Sequence, residues 1–283
     1  MPQDPGDVAY LEVVVSGRET ATRAAPIIFV HGTGHAAWCW RNFAEYFAQR
    51  GYATIAPSLR GHGGSAGAAT LRRASIAEYV ADVRRVAESL DAPPILFGHS
   101  LGGLVVQRYL QRYPAAAAVL IAPSPVGGML AANWQIGMRN PRALLRCLWK
   151  RDFAQFYSSP ELVHDLLFLR TTPRSHVAEC AAQIGPESFR AACEMLLPWR
   201  GPRAFDCPVL VVGGAQDKIV PPRHVAKTAE ALGAKLEILD PAAHNLIIDL
   251  RWEAAAERIA VWLDRCAAGA NRAQTAAFAA PHG

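Results

Sequence analysis

The sequence lacks long hydrophobic runs, cysteine clusters and a recognisable leader. No stretch reaches the roughly 18 apolar residues that a membrane span needs, so no membrane span is expected. Its 6 cysteines in 283 residues are spaced singly, without metal-ligand pairs or a disulfide framework. The first residues, 1–7, have neither the basic nor the apolar region of a secretory signal. We therefore expect a cytoplasmic protein with reduced thiols.

The charge pattern excludes a further class of protein. Lys and Arg number 29 against 24 Asp and Glu, a net charge of +5, but no basic run has interleaved aromatic residues. Such a run is typical of nucleic-acid binding, so no nucleic-acid partner is expected. With 51% apolar and 19% charged residues, the composition is that of a globular enzyme-sized protein.

Short apolar runs alternate with helix-period runs along most of the chain. This alternation predicts an α/β fold with a mainly parallel central sheet and helices on both faces. The predicted strands are Val8–Val15, Pro26–Val30, Tyr52–Ala56, Pro94–Phe97, Ala118–Ala122, Pro208–Val212 and Lys235–Leu239. The predicted helices between them are Trp38–Arg50, Ser75–Leu90, Leu101–Arg112, Arg223–Leu232 and Arg251–Arg265.

One interval breaks the alternation and suggests an insertion. Residues 124–203 have no strand pattern but several helix-like pieces separated by prolines, and they carry most of the positive charge excess. We predict an α/β core in two parts, residues 1–123 and 204–267, with a helical cap at 124–203. Residues 268–283 are alanine-rich without periodicity, and we expect a disordered tail there.

A serine lies at a predicted strand-to-helix turn. The strand Pro94–Phe97 leads into Gly98-His99-Ser100-Leu101-Gly102-Gly103 and then a helix-period run. A serine at such a turn adopts a strained backbone that exposes its hydroxyl, and the flanking glycines allow the strand and helix to pack closely. The alternative is an ordinary helix N-cap serine. The pattern favours Ser100 as a catalytic nucleophile.

A seryl hydroxyl needs a base and an orienting acid, in the order Ser, acid, His for this kind of turn. Asp217 follows the strand Pro208–Val212, and His244 follows the strand that ends near Leu239. Both are therefore predicted at carboxyl ends of strands, where α/β folds place functional groups. Asp240 is the alternative acid, whereas Asp249 is expected too far into the last helix.

The segment after Val30 is a second glycine-rich turn, His31-Gly32-Thr33-Gly34-His35. Its backbone can donate to an oxyanion, so we predict an oxyanion hole from the amides of Thr33 and Leu101. His31 and His35 are four residues apart but straddle a glycine turn instead of sharing a helix face, so no metal site is expected.

The same turn matches a dinucleotide fingerprint weakly, as Gly32-x-Gly34-x-x-Ala37. That fingerprint expects a carboxylate about 20 positions further on, where this chain has Arg60. Arg60 would have to bind a 2′-phosphate instead, but Arg60-Gly61-His62-Gly63-Gly64-Ser65 more simply forms a tight turn.

Taken together, these motifs resemble those of the α/β-hydrolase superfamily, over about Val8 to Cys266. The resemblance implies an α/β-hydrolase fold, a nucleophile at Ser100, an acid at Asp217, a base at His244 and oxyanion donors at Thr33 and Leu101. It also implies that the inserted helices form a lid. Its apolar side chains would line a substrate pocket, and the predicted substrate-binding residues are Trp38, Met129 and Trp134.

The segment from His31 to Trp40 is similar to the corresponding loop of plant methylesterases and hydroxynitrile lyases. The lyases need a lysine near the histidine, where this chain has Asn245, so cyanohydrin chemistry is not expected.

The sequence thus predicts a serine hydrolase that cleaves a carboxylic ester or thioester with an apolar acyl part through an acyl-enzyme, without a cofactor. Acyl transfer, carbon–carbon bond hydrolysis and perhydrolysis on the same fold stay open. The arginines of the cap leave open an anionic acyl group or an acidic carrier partner. An alternative of another class is a ligand-binding protein that keeps the triad without catalysis.

Overall fold

The protein is built around one twisted, mainly parallel sheet. The computed structural model describes residues 10–157, 159–199 and 205–279. Its seven-stranded sheet has the order β1-β3-β2-β4-β5-β6-β7, in which β1 runs antiparallel to β3 and all other neighbours are parallel. The strands are β1 (Val13–Ser16), β2 (Ile27–Val30), β3 (Thr54–Pro57), β4 (Ile95–His99), β5 (Ala117–Ile121), β6 (Val209–Gly214) and β7 (Lys235–Leu239).

Every predicted strand overlaps an observed one, and the predicted α/β-hydrolase fold is confirmed. The five inner strands are buried along their whole length, which is why they read as mainly apolar runs. Aromatic side chains fill the space beside them: the ring of Phe29 lies 4.8 Å from that of Trp40 and 5.1 Å from that of Phe97. These pairs stabilise the core beyond the burial of their area.

Ten α-helices are found in the described residues. Those of the core are α1 (Arg41–Ala48), α2 (Ile76–Ala87), α3 (Leu101–Tyr109), α9 (Pro222–Ala231) and α10 (Trp252–Ala279). Between β5 and β6 lie α4 (Leu130–Arg139), α5 (Pro141–Lys150), α6 (Pro160–Leu167), α7 (Arg174–Ala181) and α8 (Phe189–Leu196). We call the part of the chain from the start of α4 to the end of α8 the helical segment. All six cysteines of the chain are free thiols.

Three of the prolines that suggested breaks in the helical segment lie where helices begin. Pro141 and Pro160 occupy the first turns of α5 and α6, and Pro173 precedes α7. Proline is tolerated there because the first amides of a helix have no partner within the helix. The predicted boundary at Arg203 lies outside the described residues.

The last helix extends beyond the predicted core. Helix α10 continues to Ala279, past the start of the predicted disordered tail at residue 268, because alanine is the strongest helix former. Residues 280–283 are outside the described part. Within that part, no helix combines the length and the hydropathy needed to cross a membrane.

The glycines around Ser100 allow the close contact of α3 with the sheet. A Cβ on Gly98 would lie 2.5 Å from the Gly102 carbonyl oxygen, and one on Gly102 would collide with the carbonyl oxygens of Val30 and His31. We expect Gly102→Ala to lower the free energy of unfolding by roughly 3 kcal/mol, because backbone atoms of β2 cannot yield without strain. Urea unfolding followed by tryptophan fluorescence measures this change.

Gly127→Ala is the matched control, since nothing lies within 4 Å of a Cβ at that position. Its effect should stay within about 0.5 kcal/mol. Equal unfolding free energies for the two variants would contradict the tight contact between α3 and β2.

Candidate active site

Ser100 lies at the turn from β4 into α3 in a strained conformation. Its φ of 53° and ψ of −114° are unusual for a residue with a side chain. The turn is held by its amide, which donates to the carbonyl of Ile121 at 2.9 Å. Ser100 is the N-cap of α3, but its side chain makes no capping hydrogen bond. The hydroxyl therefore does not cap the helix as an ordinary N-cap serine would. An N-cap role was the alternative interpretation of Ser100 in the sequence.

Asp217 and His244 form a buried hydrogen-bonded pair. His244 Nδ1 lies 2.8 Å from Asp217 Oδ2, and the backbone amides of Ile219 and Val220 each donate to Asp217 Oδ1 at 2.8 Å. A carboxylate only accepts, so Nδ1 of His244 carries a proton, and Nε2 is the accepting nitrogen of this tautomer. A ring in this tautomer can accept a proton from a hydroxyl.

The two other aspartates considered from sequence lie elsewhere. Asp240 is exposed, and its closest polar contact is the side-chain amide of Gln216 at 3.5 Å. Asp249 is not within the last helix, as the sequence analysis had it, but in the turn before α10. It accepts a hydrogen bond of 2.9 Å from the Thr172 hydroxyl and so joins the helical segment to the core.

His99 links the serine turn to the loop that carries His244. Its Nε2 donates to the His244 carbonyl oxygen at 3.0 Å, and the two rings lie 5.0 Å apart. Burial and the neighbouring His244 lower the pKa of His99 well below its ordinary value, so its ring stays neutral. No sequence pattern marked His99 as functional, although it lies inside the motif that carries Ser100.

The glycine turn after β2 lies against Ser100. A Cβ on Gly32 would come within 3.1 Å of the Ser100 Cβ and 3.0 Å of His99 Nδ1. The amide of His35 donates to the Gly32 carbonyl at 3.1 Å, whereas no hydrogen bond found among the described residues uses the amide of Thr33. The Leu101 amide opens α3 and has no acceptor within that helix. These two amides are therefore available to a ligand.

A buried carboxylate of the helical segment holds the glycine turn. Glu187 lies between α7 and α8, and its Oε2 accepts a hydrogen bond from the Gly34 amide at 3.1 Å and lies 3.4 Å from His62 Nε2. Its Oε1 accepts the Tyr79 hydroxyl at 2.7 Å. Burial alone would raise the pKa of Glu187, but His62 and the hydrogen bonds outweigh it, so the pKa is lowered. Glu187 is thus ionised, and it fixes the helical segment beside Ser100.

Sequence reasoning missed Glu187 because nothing near it in the chain marks it as functional. From sequence, the Arg60–Ser65 motif was interpreted as a tight turn, with Arg60 as a possible 2′-phosphate ligand in the dinucleotide alternative. In the structure His62 is the partner of Glu187, and Arg60 is buried with its Nη2 2.7 Å from Asp82 and its Nη1 3.0 Å from Glu78. Because Arg60 is held by these two carboxylates, it is not available to bind a 2′-phosphate. The dinucleotide-binding alternative depended on that arginine and is therefore not supported.

The histidines of the glycine turn are hydrogen-bonded within the protein. His31 Nε2 accepts the Leu59 amide at 3.0 Å, and His35 Nδ1 donates to the Thr33 carbonyl at 2.8 Å. No group of three or more potential ligands that could hold a metal ion is found in residues 10–157, 159–199 and 205–279.

The predicted substrate-binding residues are spread over different environments. Trp38 is half-buried and stacks on His35, with ring centres 5.3 Å apart. Met129 is buried in the core, where its amide donates to the Met195 carbonyl. Trp134 is 62% exposed on α4, a position that does not fit the wall of an enclosed pocket. Solvent exposure of an aromatic residue on α4 could not be read from a helix-period pattern alone.

Three buried histidines make stability depend on pH. Burial and the neighbouring His62 lower the pKa of His31 to about 3, and burial lowers the pKa of His35 to about 4. Burial also lowers the pKa of His99. The folded protein keeps these rings neutral below pH 6.5, where the unfolded chain binds protons. The stability they contribute is therefore present above pH 6.5 and lost as pH falls.

We expect His35→Gln to make the acid-side loss of stability shallower. Each depressed histidine should account for about 2 kcal/mol between pH 6.5 and 5, and glutamine cannot titrate. Urea unfolding at a series of pH values measures the slope for the wild type and the variant. Identical slopes would mean that His35 takes up its proton at the same pH in the folded and the unfolded protein, so that its pKa is not lowered by folding.

Comparison with known proteins identifies a matching family and several similar enzymes. Residues 27–260 match the sequence model of the "Alpha/beta hydrolase family". The chain is 28% identical over 246 residues to a non-heme haloperoxidase of Rhodococcus erythropolis, covering 78% of this chain and 86% of that protein. It is 29% identical over 210 residues to a monoacylglycerol lipase of Mycolicibacterium smegmatis, covering 69% and 71%. The solved thermophilic esterase of Thermogutta terrifontis has the same fold, with a TM-score of 0.72 at 20% identity over 90% of this chain and 93% of that one.

Proposed function

The chain belongs to the alpha/beta hydrolase family, and we propose that it is a serine hydrolase that cleaves a carboxylic ester or thioester through an acyl-enzyme. One observation carries the proposal: an aspartate and a histidine from different loops are hydrogen-bonded at 2.8 Å at the sheet edge where a serine stands in a strained turn. This set of groups is what a serine nucleophile requires.

In the proposed reaction, Ser100 Oγ attacks the carbonyl carbon while His244 Nε2 takes its proton. Asp217 holds the ring in the correct tautomer and stabilises the imidazolium that forms. The amides of Thr33 and Leu101 stabilise the oxyanion, each by about 3 kcal/mol. Collapse of the tetrahedral intermediate expels the alcohol or thiol, which receives the proton from His244. Water, deprotonated by the same histidine, then attacks the acyl-enzyme. The second tetrahedral intermediate breaks the bond between the acyl carbon and Ser100 Oγ, releases the carboxylic acid, and His244 returns its proton to Ser100 Oγ.

Two further residues hold this machinery in place in the proposed mechanism. His99 fixes the His244 backbone through its Nε2 hydrogen bond, and Glu187 fixes the glycine turn through the Gly34 amide. Because Glu187 belongs to the helical segment, we propose that this segment is the lid of the site. Its apolar side chains favour a substrate with an apolar acyl part, and the chemistry requires no cofactor.

A second candidate function is perhydrolysis, in which hydrogen peroxide instead of water attacks the acyl-enzyme and releases a peracid. It is supported by the name of the haloperoxidase relative. The two reactions share the acyl-enzyme and differ only in the acceptor that the site admits. An assay for peracid formation from an acetate ester in the presence of hydrogen peroxide distinguishes perhydrolysis from hydrolysis.

Labelling with a fluorophosphonate, followed by turnover of p-nitrophenyl esters of increasing chain length, tests the proposal. We expect stoichiometric labelling with the adduct on the peptide that contains Ser100, and hydrolysis of at least one ester. A protein that neither reacts with the probe nor turns over any ester would be the ligand-binding alternative. The chain-length profile reports the size of the acyl group that the site accepts.

A further inference from the structure

Helix α4 exposes a line of large apolar side chains. Leu130, Trp134 and Met138 are all more than half exposed. They follow one another four residues apart, so they lie on one side of the helix. Helices on the surface of a globular protein normally turn polar residues to solvent, so this side of α4 is unusual.

Helix α5, joined to α4 by the single residue Asn140, repeats the arrangement. Ala143 and Cys147 are buried and pack it onto the protein. Leu145, Leu148 and Trp149 lie on the other side, with exposures from 54% for Leu148 to 85% for Trp149. We call the six exposed side chains of α4 and α5 the apolar ridge. Contiguous exposed apolar surface of this kind marks an interaction site.

The charged side chains of α4 and α5 are all of one sign. Residues 130–151 include no aspartate or glutamate and contain five cations, all exposed: Arg139, Arg142, Arg146, Lys150 and Arg151. On α5, Arg142 precedes Leu145 by three residues and Arg146 precedes Trp149 by three. Residues three apart are neighbours on a helix surface, so the cations border the apolar side chains.

This combination decides between the possible occupants. A second copy of the chain in a twofold contact would bring the same cations together, which is unfavourable without carboxylates to neutralise them. A membrane with anionic lipids offers both an apolar phase for the ridge and negative charge for the cations. Apolar side chains that include tryptophan, bordered by Lys and Arg, are what a helix lying in a membrane interface presents.

We propose that α4 and α5 form a docking surface for membranes that contain anionic lipids, with the apolar ridge inserted at the interface and the cations against the headgroups. The attachment is peripheral. It does not depend on the proposed hydrolase activity.

Flotation of the full chain with lipid vesicles tests this proposal. Vesicles of phosphatidylcholine alone are compared with vesicles of phosphatidylcholine and phosphatidylglycerol. We expect the protein to float with the mixed vesicles, to float weakly with the neutral ones, and to dissociate as salt is raised, because salt screens the headgroup attraction. Brominated lipids should quench the tryptophan fluorescence of the bound wild-type protein.

A charge-reversal variant and a matched control locate the surface. Arg142→Glu, Arg146→Glu and Lys150→Glu together should lower the partition coefficient by roughly 100-fold or more, since each cation at an anionic surface contributes about fivefold. The control removes the same charge from three exposed cations of α9 and α10: Arg223→Glu, Lys227→Glu and Arg258→Glu. We expect it to keep most of the binding. Trp134→Ala with Trp149→Ala should weaken binding at unchanged net charge.

Several results would overturn the proposal. They are absence of binding to the mixed vesicles, equal losses in the two triple variants, or bound protein whose fluorescence brominated lipids do not quench. A wild-type dimer that the tryptophan changes dissociate, without vesicle binding, would assign the ridge to a second copy. Binding of an acidic acyl carrier protein, lost in the charge-reversal variant and again without vesicle binding, would assign it to that partner.

Discussion

Alanine at position 100 is expected to lower kcat/KM for ester hydrolysis by about 10⁴-fold or more and to abolish fluorophosphonate labelling. The proposed acyl-enzyme forms on the Ser100 hydroxyl, and no other group of the strained turn can replace it. The fold should be unaffected, because the turn is held by the Ser100 backbone amide and not by a side-chain hydrogen bond. Initial rates with a p-nitrophenyl ester and gel fluorescence after labelling measure both effects.

Ser124→Ala is a suitable control for that change. Ser124 is also buried, and its amide donates to the Ser100 carbonyl at 3.0 Å, so the two serines share one environment. Labelling and turnover should persist in this variant. If instead labelling survived Ser100→Ala and disappeared with Ser124→Ala, the nucleophile would be Ser124 and the proposed mechanism would be wrong.

Asparagine at position 217 should lower kcat by about 10⁴-fold. Its Oδ1 can still accept the amides of Ile219 and Val220, so the loop is retained. Its amide NH₂, however, would face His244 Nδ1, and the ring would have to accept there and carry its proton on Nε2. The histidine could then no longer take a proton from Ser100. Steady-state kinetics with the same ester measure the loss, and the unfolding free energy checks the fold.

Asp240→Asn is the matched control, since Asp240 is exposed on the neighbouring loop and also follows a parallel strand. Its kcat should stay within about twofold of the wild type, as expected of a surface change. A large decrease of kcat in Asp240→Asn, with little change of kcat in Asp217→Asn, would mean that Asp240 is the acid that pairs with His244. It would refute the assignment of Asp217.

The local parts of this protein could be predicted from the sequence because they depend on neighbours in the chain. Buried parallel strands read as apolar runs wherever they occur, and the turn at Ser100 needs glycines at fixed positions, here Gly98 and Gly102. The prolines at 141 and 160 mark helix starts for an equally local reason. Fold class and the candidate nucleophile both follow from such patterns.

The sequence alone did not decide which aspartate is the candidate acid. Asp217 and Asp240 both follow parallel strands, and a pattern cannot say which carboxylate turns inward. In the structure the amides of Ile219 and Val220 hold the Asp217 carboxylate towards His244, while Asp240 faces solvent. The choice therefore depends on how the loop after β6 folds.

By itself, the sequence determined the order of strands and helices along the chain, the strained serine turn and the edge of the sheet at which the functional loops meet. Only the tertiary structure decided that Glu187 pairs with His62 and holds the Gly34 amide, that His99 supports His244, and that Trp134 faces solvent. Those contacts join residues far apart in the chain, and their distances depend on how whole helices pack, which no short-range pattern encodes.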